Sequence, residues 1–202
     1  MVIRGERLTL RYARAEDAPA LYELGRDPDV SRFFSWGPYT NESEAAGFLE
    51  QMAAQREAGE RLEFVIADEE DTPIGITGLS EFSQRDRRAV VGTWLGRAHW
   101  RSGANAESKA LVLAVGFRAL GLQRISAYAH PDNARSLAAL ERLGFVAEGT
   151  LVAWHLHDGE RRDVRILRLL SEEWEASQLA TRPVRLEGHP PARISAGNRA
   201  GN

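Results

Sequence analysis

The chain has 202 residues, no cysteine, and 26 basic against 29 acidic residues for a net charge of -3. That length suits one domain with a substantial core, and the missing cysteines exclude disulfides, thiolate zinc clusters and cysteine nucleophiles. The near-balanced charge argues against a protein held on nucleic acid by a strong basic field. No apolar stretch approaches the ~20 residues that span a bilayer, and the N-terminus Met1-Val2-Ile3-Arg4-Gly5-Glu6 lacks a signal peptide's layout. The expectation is a soluble cytoplasmic protein with neither nucleic acid nor membrane as partner.

In chain order, Arg7 to Arg11 alternates, Leu8 and Leu10 against Thr9 and Arg11, and reads as a strand. Glu16 to Leu24 carries Ala18, Leu21, Tyr22 and Leu24 at helical spacing, ended by Gly25 and Asp27-Pro28. The segment Ser31 to Tyr39 is irregular and aromatic; Phe34, Trp36 and Tyr39 are candidate substrate-lining residues, with core plugs the alternative. Asn41 and Glu44 form a loose capping box that opens a helix to about Arg56. Leu62 to Ala67 and Pro73 to Leu79 read as a hairpin around the acidic turn Asp68 to Thr72.

A further strand, Ala89 to Leu95, leads through the small-residue stretch Arg101-Ser102-Gly103-Ala104-Asn105-Ala106 into a helix with Ala110, Leu111, Ala114, Phe117 and Leu120 at helical spacing. Gly103 permits a close backbone approach. The first amides of the helix lack intrahelical acceptors, so the stretch has the chemistry of an anion cradle. After Gly121, Arg124 to His130 reads as a strand parallel to the previous one, joined through the helix as a crossover. Ala134 to Leu143 reads as a short helix ending at Gly144, and Phe145 to Glu148 begins another strand. Leu151 to His157 and Arg162 to Leu170 are extended runs flanking an Asp158-Gly159 turn, and Ser171 is placed to cap a last helix holding Trp174. From Thr181 the composition turns to Pro, Gly, Arg and Ser. The expected organisation is one domain over residues 1–180 with a poorly ordered tail over 181–202.

The cradle is not a nucleotide-hydrolase loop. Lys109, the only lysine in the chain, lacks the preceding glycine and the following Ser or Thr that such a loop needs for magnesium. Nor is it a dinucleotide loop, which needs more glycines and a different order of elements. His155 and His157 share one strand face, but catalytic zinc takes three protein ligands, so no metal is expected.

Downstream, Asn133-Ala134-Arg135-Ser136 opens the short helix that ends at Leu143-Gly144-Phe145. Together with the Arg-Leu-Thr-Leu-Arg strand, the Trp36-to-Phe48 segment, Ile74-Gly75, the cradle, Gly159 to Asp163 and Glu173-Trp174, this order and spacing resembles the GNAT superfamily of acetyl-CoA-dependent N-acetyltransferases, in the RimJ/RimL-like branch that includes ribosomal-protein N-terminal acetyltransferases. The resemblance runs from about Arg4 to Trp174. It implies the GNAT acyl-CoA N-acyltransferase fold: α/β (α+β), with a mixed, mostly antiparallel sheet of about seven strands flanked by helices, two of them splayed to take the cofactor.

What the resemblance implies for residues follows from position. Trp94 and Leu95 offer main-chain hydrogen bonds to the pantetheine arm of acetyl-CoA; Arg101, Ser102, Gly103, Ala104, Asn105 and Ala106 supply pyrophosphate contacts; Asn133 lies near the pantetheine. Ser136 protonates the leaving thiolate. The bland alternatives are a helix cap for Asn133 and an ordinary third helical position for Ser136. Three departures stand out: Asn105 where a small residue is usual, Leu140 where many relatives carry a tyrosine acid, and Val90 where many carry a glutamate base. Glu63, Glu81 and Asp163 are the carboxylates left as base candidates; Asp163 matches the branch's Arg/Lys-Asp motif, with an ion pair to Arg162 or Arg165 its structural alternative. The implied acceptor is an amine, on a protein N-terminus or a small molecule, and a homodimer is compatible with the reading. The competing function is a non-catalytic acyl-CoA-binding or protein-interaction module on the same fold.

Overall fold

The computed structural model describes residues 1–157 and 159–195. In chain order its strands are β1 (Val2–Arg4), β2 (Thr9–Arg11), β3 (Leu62–Ala67), β4 (Pro73–Ser83), β5 (Arg88–Leu95), β6 (Arg124–Ala129), β7 (Val146–His157), β8 (Glu160–Leu170) and β9 (Arg185–Glu187). The helices are α1 (Ala18–Gly25), α2 (Pro28–Ser31), α3 (Glu42–Ala58), α4 (Ala104–Ala114), α5 (Ala134–Arg142), α6 (Ser171–Glu175) and α7 (Ala192–Ser195). All nine strands join one sheet in the order β7-β8-β6-β5-β4-β3-β2-β1-β9. Every pairing is antiparallel except β5 with β6.

Helices cover both faces, because strands such as Leu62–Ala67 present apolar side chains on both. One face packs Phe64, Leu79, Ile125 and Leu167 against Leu111, Leu113, Leu140 and Trp174. The other packs Val65, Ile76 and Trp94 against Leu21 of α1 and Ala45, Leu49 and Met52 of α3. From Glu107 to Ala114, α4 is buried on every side. Its buried carboxylate is satisfied by the chain ahead of β2: Glu107 Oε1 accepts from the amides of Arg7 at 2.8 Å and Leu8 at 2.9 Å. That pairing offsets a desolvation cost of several kcal/mol for an isolated ion and ties the helix to the N-terminal strands.

The parallel pair is short. Its register runs from Arg88 opposite Arg124 only to Val90 opposite Ser126. Beyond that point β5 continues to Leu95 beside β4, while β6 continues beside β8. The two strands part, leaving a cleft in the sheet, as the family resemblance implies.

Several expectations are corrected. Val2–Arg4 forms an unforeseen first strand, and the two extended runs after Gly144 are one strand, β7, with irregular register near Gly149 and Ala153. Asn41 makes no side-chain cap bond; instead Glu44 reaches back and accepts from the Thr40 amide at 3.2 Å. Ser171 is the first helical residue, and Glu173 accepts from the Leu170 amide at 2.9 Å to close that end. The acidic turn is more than a solvated loop: Asp71 accepts from Arg11 at 2.6 Å and Arg14 at 2.7 Å, and the two guanidiniums hold it below the usual carboxylate range. Asp158, half of the expected hairpin turn, lies outside the described residues, and Gly159 takes the left-handed backbone with φ 78.

The segment expected as a poorly ordered tail is, over residues 181–195, built into the domain. Arg185–Glu187 pairs with β1, Arg4 bridges to Glu187 at 3.3 Å, and Ile194 is buried in the main core. Residues 196–202 lie outside the described residues. The composition of the segment is poor in apolar residues, but a three-residue strand needs only a partner edge, and pairing across the length of the chain leaves no local signal.

Candidate active site

The cleft is framed by main chain. Gly96 N–H donates to the Ile74 carbonyl at 3.0 Å. By the alternation of an antiparallel ladder, Trp94 therefore turns its main-chain groups toward β4 and Leu95 turns its own toward the parting from β6. The main chain of Trp94 thus faces β4, while its side chain meets Trp36. The Leu95 carbonyl accepts from the Trp100 indole at 2.9 Å, which leaves the Leu95 amide on the side of the cleft. Close approach of β4 to β5 here requires Gly75, where a Cβ would lie 2.2 Å from the Trp94 carbonyl oxygen.

The cradle follows. Arg101 takes a left-handed φ of 62 and Gly103 one of 90, and together they turn the chain into α4. Ser102 Oγ donates to the His99 carbonyl at 2.8 Å and accepts from the Ala104 amide at 3.2 Å, while the Glu107 amide already donates to Gly103 at 3.0 Å. The amides of Asn105 and Ala106 between them are the donors a phosphate would meet at this helix start. The Asn105 side chain is otherwise engaged: its Oδ1 accepts from Lys109 Nζ at 2.8 Å. Burial pushes the Lys109 ammonium down to about 7.

Three residues of the site left no signal in the sequence. Arg7 donates to the Ser102 carbonyl at 3.4 Å and braces the loop. Trp100 holds the end of β5, and the Arg135 guanidinium sits 3.3 Å from its ring centroid. Arg135 also lies near enough to Arg101 for their charges to oppose each other, which with burial lowers the Arg135 pKa. The two guanidiniums thus gather positive charge where the cradle opens.

Through Arg135 the start of α5 is drawn to the end of β5. Asn133 caps that helix, its Oδ1 accepting from the Ser136 amide at 3.1 Å, so its helix-cap alternative is realised. Ser136 holds the third helical position, half-buried, one residue beyond Arg135. Leu140 is buried in the core.

The aromatic loop packs against Trp94 at the end of β5. Phe34, Trp36 and Tyr39 stack in sequence at 5.5 Å and 5.3 Å, and Trp36 meets Trp94 at 5.2 Å. Burial, helped by the carboxylates of Glu44 and Glu63, pushes the Tyr39 hydroxyl up to about 12, so it stays protonated. Phe34 and Asp163 line a shared hollow with Phe33, His130, His155 and His157. Asp163 Oδ1 accepts from the Ala153 amide at 2.8 Å and clamps the irregular stretch of β7, while Arg162 donates to the Arg32 carbonyl at 3.3 Å. Among the described residues no group of three or more His, Cys, Asp or Glu is placed to hold a metal ion.

Residues 7–146 match the family model of the acetyltransferase (GNAT) domain. The chain belongs to the GNAT acetyltransferases. It is 34% identical over 170 residues to the uncharacterised N-acetyltransferase p20 of Bacillus licheniformis, covering 84% of this chain and 96% of p20. It is 28% identical over 104 residues, 52% of this chain and 57% of the relative, to YdaF of Bacillus subtilis (strain 168), which carries the name of a ribosomal N-acetyltransferase. The Microcin C7 self immunity acetyltransferase MccE, solved in complex with acetyl-CoA and AMP, matches the fold with a TM-score of 0.73 at 23% identity, over 82% of this chain and 93% of that one. This GNAT chain is thus an acetyl-CoA-dependent N-acetyltransferase, and the parted strands, the cradle amides and the Arg101–Arg135 pair fit an elongated, anionic acyl carrier.

Proposed function

We propose that the protein transfers acetyl from acetyl-CoA to a primary amine by direct attack of the amine within a ternary complex. The observation that carries this reading is the continuity of the parted β5 edge with the α4 N-terminus: a pantetheine arm along Leu95 leads a pyrophosphate onto the amides of Asn105 and Ala106. Acetyl-CoA supplies the activated carbonyl and a thiolate leaving group. The Leu95 amide orients the arm, Arg101, Ser102, Gly103 and Ala104 shape the phosphate site with Arg135 beside it, and Ser136 gives its hydroxyl proton to the leaving sulfur. Asn133 acts through Ser136 by fixing the helix start on which it sits. Phe34, Trp36 and Tyr39 form the wall along which the acceptor lies. Fixing both reactants in one cleft is the largest contribution available to such a reaction.

The acceptor is an amine on a protein N-terminus or a small molecule. These differ in a way that matters for the chemistry: an α-amine with an ordinary pKa of about 8 is neutral in roughly one molecule in ten at pH 7, an alkylamine near 10.4 in fewer than one in a thousand. A panel of both kinds, assayed for release of free CoA thiol, tests the reading. Turnover of one class is expected, together with a rise in melting temperature on adding acetyl-CoA. Binding without turnover of any amine would favour the non-catalytic alternative, and no binding at millimolar ligand would remove the cofactor assignment.

A further inference from the structure

The structure separates the three carboxylates left as base candidates. Asp163 is engaged in holding the Ala153 amide. Glu81, at a left-handed φ of 51, is exposed and accepts from the Tyr128 hydroxyl at 3.1 Å. Glu63 differs from both. Its side chain is 15% exposed, Oε1 accepts from Arg61 at 3.3 Å, and Oε2 is buried with no hydrogen-bond partner among the described residues. An unsatisfied buried acceptor destabilises the fold, a cost a bound donor would remove. Burial also raises the Glu63 carboxyl above its ordinary range, against the smaller opposing pull of Arg61.

The surroundings show where that donor would come from. Glu63, Gly78 and Gly92 lie opposite one another across β3, β4 and β5. A Cβ on Gly78 would fall 2.5 Å from the Leu62 carbonyl oxygen, 2.6 Å from Glu63 Cα and 2.7 Å from its Cγ, so the glycine lets β3 and the stem of the glutamate lie close over β4. A Cβ on Gly92 would meet nothing within 4 Å, and Gly92 is exposed although its strand is interior to the sheet. Gly78, between Gly92 and Glu63, is covered by β3, and Gly92 leaves a hollow in the sheet face. On one side it is bounded by Trp94 with Trp36 and Tyr39 stacked beyond. On the other lies the row Ser80, Val90 and Ser126, the last pairing before β5 and β6 part.

We propose that Glu63 is the general base of the transfer, accepting a proton on Oε2 from an acceptor ammonium seated in the hollow over Gly92. The assignment rests on the acetyl-transfer reading above. The ammonium gives one proton to Glu63, and the nitrogen lone pair forms the bond to the acetyl carbon. The carbon–sulfur bond breaks with its electron pair on sulfur, which takes the Ser136 hydroxyl proton; the second proton leaving nitrogen restores Ser136. Glu63 releases its proton to solvent, so ammonium and thioester become amide, thiol and one free proton. Val90, a hydrophobic residue where relatives place a base, is thereby accounted for: the carboxylate is supplied from β3 across a glycine.

The test compares wild type, Glu63→Gln and Gly92→Val in pH–rate profiles with the best amine of the panel, alongside melting with and without acetyl-CoA. Glu63→Gln is expected to lower kcat/KM for the amine about hundredfold at pH 7 and to recover as pH rises toward the amine's own pKa. Its acetyl-CoA-induced melting shift should be retained and its stability unchanged or improved, since an amide is cheaper to bury than a carboxylate. Gly92→Val, whose side chain enters open space on a strand, should raise the amine KM and keep the same melting shift. If wild type neither binds acetyl-CoA nor releases CoA, the acetyl-transfer reading fails. With an active wild type, a Glu63→Gln variant at the wild-type rate and pH profile overturns the base assignment alone.

Discussion

The two sides of the cleft are made of different material. On the proposed reading the cofactor side is mostly main chain: the Leu95 amide, the left-handed turns at Arg101 and Gly103, and the first amides of α4, with the Arg101 and Arg135 guanidiniums beside them. The proposed acceptor side is side chains drawn from distant elements: Phe34, Trp36 and Tyr39 from one loop and Glu63 from β3. Backbone donors sit wherever the fold puts the chain, so that side constrains residue size and φ and tolerates varied side chains. Side-chain walls can be exchanged one residue at a time without disturbing the sheet, and there a single scaffold changes its acceptor.

If this division holds, mutations that add volume on the cofactor side should act on the fold or on cofactor affinity, and those that remove a reacting side chain on rate. The largest effect is expected for Gly75→Val, which forces β4 away from the Trp94 carbonyl; the cost should be about 3 kcal/mol, read as a lowered urea midpoint with the slope unchanged. Next is Ser136→Ala. It keeps the Asn133 cap, which uses the Ser136 amide, but removes the hydroxyl. Turnover should fall about hundredfold with acetyl-CoA affinity unchanged. Loss of affinity with intact turnover would place Ser136 on the cofactor side instead. Smaller again is Gly103→Val. Its Cβ would meet only the flexible end of Arg7, at 3.0 Å, yet φ 90 is a strained backbone for a β-branched residue. The fold should survive while acetyl-CoA binding weakens about tenfold, equivalent to 1.4 kcal/mol.

The same division explains what was legible in the sequence. The cradle could be read because glycine and small residues between a strand and a helix have local causes, and the element order around it fixed the family. Asn133 and Ser136 were placed on the right helix for the same reason. What escaped notice depends on contacts between residues far apart in the chain. Nothing near Arg135 announces that its guanidinium will rest on Trp100, nor does the tail announce that Arg185–Glu187 will pair with β1. Glu63 was visible only as one carboxylate among three. Its unpartnered oxygen depends on Gly78 lying opposite it, and that register exists only once the strands are paired.

One residue tests whether a side chain buried within α4 also senses the cofactor side. Lys109 is buried one turn into α4, bonded to Asn105, with an ammonium pushed down to about 7. A folded pKa below the unfolded value means the native state holds this proton less tightly, so the stability tied to the group is complete above an ordinary lysine pKa of about 10.4 and is lost as pH falls through about 7. Lys109→Met removes that dependence. It should be more stable than wild type by about 1 kcal/mol at pH 7, with the advantage shrinking toward pH 10. Phosphates at the start of α4 would favour the charged lysine, so wild type should bind acetyl-CoA more tightly as pH falls from 10 to 7, and more steeply than the variant. Parallel pH dependences of melting with acetyl-CoA bound and absent would mean that the phosphates lie too far from Asn105 to reach its partner.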